Sequence, residues 1–337
     1  MGDLERRIQQ LLARAGDQGR SAATDRAYTL KRVGKELSDL QKRAEELEAW
    51  NLFADIADVW AELFDFDRAI ELYEEALRRG GSAVPLRAIE QLGNLQIREA
   101  CRRHRAGQTD SVSELADSAL SWLNRALDIG ESGERLALVG SYHKKKATMA
   151  SGEERREQLE RARFYYKKAN AKRNEAYYEL NARQLASIAR LRNGGPRDSE
   201  RTGGATNAPV GSPGSNAADS VPSEPDKAAD FWSRAQRGDL LLTTLLEEVA
   251  ARRPDELIHE ENEVWERKRD ELVDAYAAAF RLRSSARERA SVIDHLDDLA
   301  ELVPEDHPLA PLLRGASSRL KEWPETRQSG GSSIAGH

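Results

Sequence analysis

The chain has 337 residues, 39% hydrophobic and 33% charged, with a net charge of −6 at pH 7. That length accommodates about two domains, and the excess of charge suits thin, well-wetted layers better than one large core. The acidic balance gives no global reason to expect nucleic acid, no run of about 18 apolar residues suggests a membrane span, and the single cysteine, Cys101, leaves no intramolecular disulfide and favours a reducing, cytoplasmic setting.

Residues 3–15 predict a short helix with Leu4, Ile8 and Leu11 on one stripe. Asp3, Glu5, Arg6 and Arg7 interrupt any apolar run, so no secretory leader is expected. A longer helix starts near Thr24 and runs to Leu47. Its apolar residues fall on two heptad series, Leu30, Leu37 and Ala44, and Val33, Leu40 and Leu47. Residues 1–46 therefore read either as a helical cap on the succeeding helices or as a short coiled coil that makes a homodimer.

The segment 50–81 is the most informative. Phe53, Ile56, Ala57 and Trp60 recur at three- and four-residue steps, and Phe66, Ala69, Tyr73 and Ala76 do so after a polar break. This spacing puts each set on one face of a helix. Small residues at Ala57, Ala69 and Ala76 let the two helices approach. The segment resembles the tetratricopeptide repeat, a helix hairpin of about 34 residues. The resemblance implies an all-α solenoid of stacked antiparallel hairpins with a concave, partner-binding face.

Weaker copies come next. Ile89, Leu92 and Gly93 pair with Ala119, Leu123 and Ala126; Leu136, Val139 and Gly140 pair with Ala162, Tyr166 and Ala169. A fourth first helix begins near Ala176, with Tyr178, Asn181, Ala182 and Leu185. Glycine inside a helix costs about 1 kcal/mol relative to alanine, so Gly93 and Gly140 imply close packing. The second and third copies run long, through residues 98–105 and 144–149. With residues 176–181 (AYYELN), they resemble the divergent repeats in the TRAF-binding region of stress-activated kinase kinase kinases, and repeats in bacterial proteins that accompany protease or signalling domains. The repeats span residues 47–192.

Residues 193–226 hold five of the eleven prolines and almost no large apolar residue. They read as a disordered insertion, because they bury too little surface to offset ordering entropy. Helices resume over 228–250, 255–282, 285–303 and 307–323, so residues 227–325 read as further repeats that complete the solenoid. Residues 326–337 read as a flexible tail.

No catalytic motif, metal-ligand spacing or cofactor loop stands out, and none of the three is expected. Cys101, beside Arg102, Arg103 and His104, reads as a small residue in a helix. His295 and His307, near Asp294, Asp297, Asp298 and Asp306, read as a solvated acidic helix end. An enzyme would need a convergent polar cluster near His259, His295 or Asp298. A nucleic-acid binder would use the basic stretches 98–105 and 144–146, but only Tyr142 lies close enough to add base stacking.

The resemblance places particular first-helix positions in the concave groove. These are Asp58 and Glu62 in the first copy, Arg87, Glu90, Asn94 and Arg98 in the second, Ser141, Lys144 and Lys145 in the third, and Glu179 and Arg183 in the fourth. Arg102 joins the basic end. The groove turns from acidic to basic, and its arginines suit carboxylates. Ala54 and Asp58 stand where the carboxylate clamp of chaperone adaptors needs Lys and Asn, which argues against that role. The reading is a non-catalytic adaptor or regulatory subunit for a protein or acidic peptide, with a bacterial protease or signalling effector as the alternative partner. Reversing Arg98 and Lys145 to glutamate is expected to abolish binding and leave stability nearly intact.

Overall fold

The computed structural model describes residues 2–18, 23–193, 230–252, 256–257, 261–282 and 284–323. The inserted segment 194–226 and the tail 326–337 lie outside the described residues. The described helices begin with α1 (Gly2–Gln18), α2 (Ala23–Glu46), α3 (Trp50–Glu62), α4 (Phe66–Gly80), α5 (Arg87–Arg105), α6 (Val112–Ile129), α7 (Gly133–Met149), α8 (Gly152–Lys172) and α9 (Ala176–Arg192). After the insertion come α10 (Phe231–Ala251), α11 (Asn262–Phe280), α12 (Ala286–Leu302) and α13 (Leu309–Lys321). There is no strand among the described residues, and the fold is the all-α, tetratricopeptide-like solenoid.

Local chemistry sets the helix ends. The Asp65 side chain accepts from the backbone N–H of Arg68 at the start of α4, and the last turn carries Arg78 and Arg79, which complement the helix dipole. Gly81 comes after it at φ 51°, a left-handed conformation that glycine adopts without a Cβ penalty. Ser132 caps α7 and Asp230 caps α10. Ser285 and Glu288 form a reciprocal capping box on α12, so the start of that helix is fixed by its own sequence.

Hairpins close where a small residue faces a large one. In α3/α4, Ala57, Ala69, Tyr73 and Ala76 are fully buried and Trp60 is 2% exposed. A Cβ added at Gly93 would meet the Leu123 side chain at 2.7 Å, and one at Gly140 would meet the Tyr166 ring at 3.1 Å. Both glycines therefore answer to packing, as their place in the repeat implies. The device recurs beyond the insertion, where a Cβ on Gly238 of α10 would lie 2.5 Å from the Tyr276 ring of α11.

The N-terminal helices pack on the first hairpin. Leu4, Ile8, Leu11 and Ala15 of α1 and Val33, Leu37, Leu40 and Ala44 of α2 are buried in one cluster with α3 and α4. Those heptad positions are covered within the chain, while Leu47 is 54% exposed. Another buried cluster runs from Leu136 to Leu320, through α7, α8 and α9 and on through α10 to α13. No described helix is long and apolar enough to cross a membrane.

Candidate functional site

Helix α12 lies across the first helices of the repeats. Its apolar residues Val292, Leu296 and Leu299 repeat at steps of four and three and are buried. Its polar stripe, Arg287, Asp294, Asp298 and Glu301, repeats at seven, four and three, the same face of a helix. Each member of that stripe meets a repeat helix. Arg287 donates to Glu62 of α3 at 3.3 Å and to Gln91 of α5 at 2.6 Å. Asp294 accepts from Arg98 at 2.6 Å. Asp298 accepts from Lys145 at 2.8 Å and from Arg105 at 2.7 Å, and Arg105 also reaches Glu301 at 2.7 Å. The carbonyl of Leu302 accepts from Arg192 at 2.6 Å.

The centre of this contact is buried. Asp298 is 1% exposed and Lys145 6%. Burial alone would raise the Asp298 carboxyl, but Lys145, Lys144 and Arg105 outweigh it and hold it well below the usual carboxylate range. Lys144 is equally enclosed. Burial brings its ammonium down to about 8, with the Asp298 charge opposing. Its Nζ lies 2.9 Å from His295 Nδ1 and donates to Asn181 at 3.3 Å. His295 is pushed well below the ordinary imidazole range, first by burial and then by Lys144. Its neutral ring can accept at Nδ1, and its Nε2 is 4.0 Å from Asp239, which in turn accepts from Tyr276 at 2.6 Å.

This network corrects two readings of the sequence. Asp298 is not part of a solvated acidic helix end, because it is buried and paired with Lys145, whereas Asp294 and Asp297 are partly exposed and Asp306 is exposed. A convergent polar cluster does exist near His295 and Asp298, the feature required of an enzyme. Its members hold one another under α12, and the network ties α12 to α7, α9 and α10. His259 lies outside the described residues. Burial pushes the Cys101 thiol up to about 11, and Sγ lies 3.6 Å from the Lys145 carbonyl, so this sulfur is a poor nucleophile. No group of three potential metal ligands occurs among the described residues.

The groove residues read from the sequence divide into three sets. At the acidic end, Arg87 bonds Asp55 and Asp58, Tyr73 also donates to Asp58, and Glu90 accepts from Arg135 at 2.7 Å. Burial pushes the Glu62 carboxyl up against the pull of Arg287. In the middle, Arg98, Lys144 and Lys145 converge on α12, with Asn94 and Ser141 half-buried on the same helices. The remainder go elsewhere. Arg102 pairs with Glu99 on its own helix at 2.6 Å. Arg183 takes Glu247 of α10 in a two-pronged contact at 2.8 Å, with Glu179 at 3.6 Å. Sequence reasoning named Arg105, Asp294 and Asp298 but did not place them in the groove, and it missed Arg287 and Glu301. The seven–four–three spacing of the α12 stripe was the signal.

Residues 65–186 match the family described as Tetratricopeptide Repeats-Sensor. No curated protein matches the chain, and no solved structure does. The matched stretch runs from the cap of α4 into α9, and it carries Arg98, Lys144 and Lys145. The repeat region of this chain is thus similar to that tetratricopeptide family, which supports a protein-interaction role in general.

Proposed function

We propose that the protein is a non-catalytic adaptor or regulatory subunit that takes an acidic helical segment of another protein in its concave groove, with α12 holding that groove until the partner displaces it. The observation that carries this is the grip on α12 itself. A helix presenting Asp294, Asp298 and Glu301 at four- and three-residue steps is held by Arg98, Lys145 and Arg105. A partner helix with the same acidic spacing would meet the same cations. Asp294 and Glu301 are about one-third exposed, so the edges of the contact are the places where competition starts.

The resemblance of the long second and third copies, with residues 176–181, to repeats that accompany protease or signalling domains favours an effector of that kind as the partner, in the cytoplasm. Nucleic acid fits less well. Arg98, Arg102, Arg103 and Arg105 all have carboxylate partners within the chain.

A labelled peptide of residues 285–303 serves as the probe, titrated by fluorescence anisotropy. The full chain carrying Asp294→Ala with Glu301→Ala, which loosens its own α12, should bind the peptide about tenfold tighter than the unmodified chain. Adding Arg98→Ala should remove that gain. A loosened chain that binds no peptide, or binding indifferent to Arg98, would overturn the proposal.

A further inference from the structure

Three arginines that have no carboxylate partner among the described residues gather at one place. A cavity of about 610 Å³ opens where α5, α7, α9 and α12 end and α13 passes. Arg155, Arg192 and Arg314 line it, with His104 and Thr148. Arg155 donates from Nε to the carbonyls of Ala147 and Ala150, at 3.1 and 2.7 Å. Arg192 donates from Nε to the carbonyl of Leu302. These bonds satisfy open carbonyls at the ends of α7 and α12, and they use one donor of the five on each guanidinium. Two carboxylates also line the cavity. Glu301 is held by Arg105 through both oxygens, which leaves Glu305 as the one acid there without a cation among the described residues.

Capping of helix ends explains the Nε bonds. It does not explain why three arginines without a carboxylate partner among the described residues share a cavity with Arg105, which is paired to Glu301 and Asp298. The conflict is visible in Arg192, whose guanidinium is pushed below its ordinary range by burial and then by the charge of Arg155. An anion between them would relieve it. Guanidinium forks match the oxygens of phosphate in two-pronged geometry. A volume of this size lies within the range of small-molecule sites, about 300–1,000 Å³.

We infer that this cavity binds a small phosphate-bearing molecule, held by Arg155, Arg192 and Arg314. Because Glu301, Val303 and the Leu302 carbonyl belong to the C-terminal end of α12, the bound molecule would join that end to α8 and α9. The inference is independent of which partner the groove takes.

Inorganic pyrophosphate is the probe, titrated into the full chain by isothermal titration calorimetry. Saturable one-to-one binding is expected, together with a rise in melting temperature. Arg314→Ala is the cleanest variant, since Arg314 makes no internal hydrogen bond or ion pair among the described residues. It should weaken binding about tenfold, as should Arg192→Lys, which keeps the charge and loses the fork. The distant Arg78→Ala should leave binding unchanged. Absence of saturable binding, or an affinity that neither Arg314→Ala nor Arg192→Lys lowers, would overturn the inference. So would a phosphoserine peptide that binds more tightly than pyrophosphate in an Arg314-dependent way, since the site would then read protein-borne phosphate.

Discussion

Lys145 Nζ lies 2.8 Å from Asp298 Oδ2, although 153 positions separate the two residues in the chain. Both are almost fully enclosed, and the pair fastens the third repeat to α12. A groove residue and the helix that covers it are thus one structural unit.

That unit changes what charge reversal does. Lys145→Glu would set a second carboxylate against Asp298 in a buried site. Breaking a buried pair costs about 3–5 kcal/mol, because the remaining charge is left uncompensated. The urea midpoint should drop accordingly. The expectation that Arg98→Glu with Lys145→Glu leaves stability intact, drawn from position in the repeat alone, does not survive this geometry. Arg102→Glu tests the contrast, since Arg102 is 55% exposed beside Glu99. It should lower the midpoint far less than Lys145→Glu does.

His295 gives the fold a pH dependence. Its folded-state pKa lies well below the unfolded value of about 6.5, so below that pH the unfolded chain takes up a proton that the folded chain refuses. The stability it contributes is therefore full above about pH 6.5 and declines as pH falls, by up to about 1.4 kcal/mol per pH unit. His143 and His307 shift in the same direction, while Glu62 and Asp239 shift upward and oppose the trend. Comparison with His295→Gln isolates the one group. Urea unfolding between pH 7 and 5 should show a shallower decline in the variant; an identical slope would mean that His295 is protonated or exposed in the folded chain.

Packing between hairpin helices can be tested on both sides of the insertion. Trp60→Ala should cost about 3–5 kcal/mol, as an indole 2% exposed leaves a large void. Gly238→Ala should cost about 1–3 kcal/mol, because the Tyr276 ring is fully buried and its hydroxyl is held by Asp239. Thermal melts report both. If Gly238→Ala melts with the unmodified chain, α10 and α11 are not packed as described.

The repeat helices were legible in the sequence, and for a physical reason. Their apolar period, the alanines of α3 and α4, and glycines at positions 93 and 140 all describe contacts between neighbouring helices. Local spacing encodes such contacts. The covered groove was not legible in the same way. Spacing shows that Asp294 and Asp298 share a face with Arg287 and Glu301, but not what that face meets. In so charged a chain an acidic face reads as wet. The cavity at the helix ends was hidden for a similar reason, because Arg155, Arg192 and Arg314 come from three separate helices.

The seating of α12 in the groove is tested most directly by a double-mutant cycle at Lys145 and Asp298, read by urea unfolding. Lys145→Met and Asp298→Leu should each cost about 3–5 kcal/mol, since each leaves a buried charge without its main partner. The two together should cost much less than the sum, because an apolar pair of similar volume replaces the ion pair and Arg105 keeps Glu301. A strong, favourable coupling between positions 145 and 298 is the predicted result. Losses that simply add would place the two side chains apart and contradict the account.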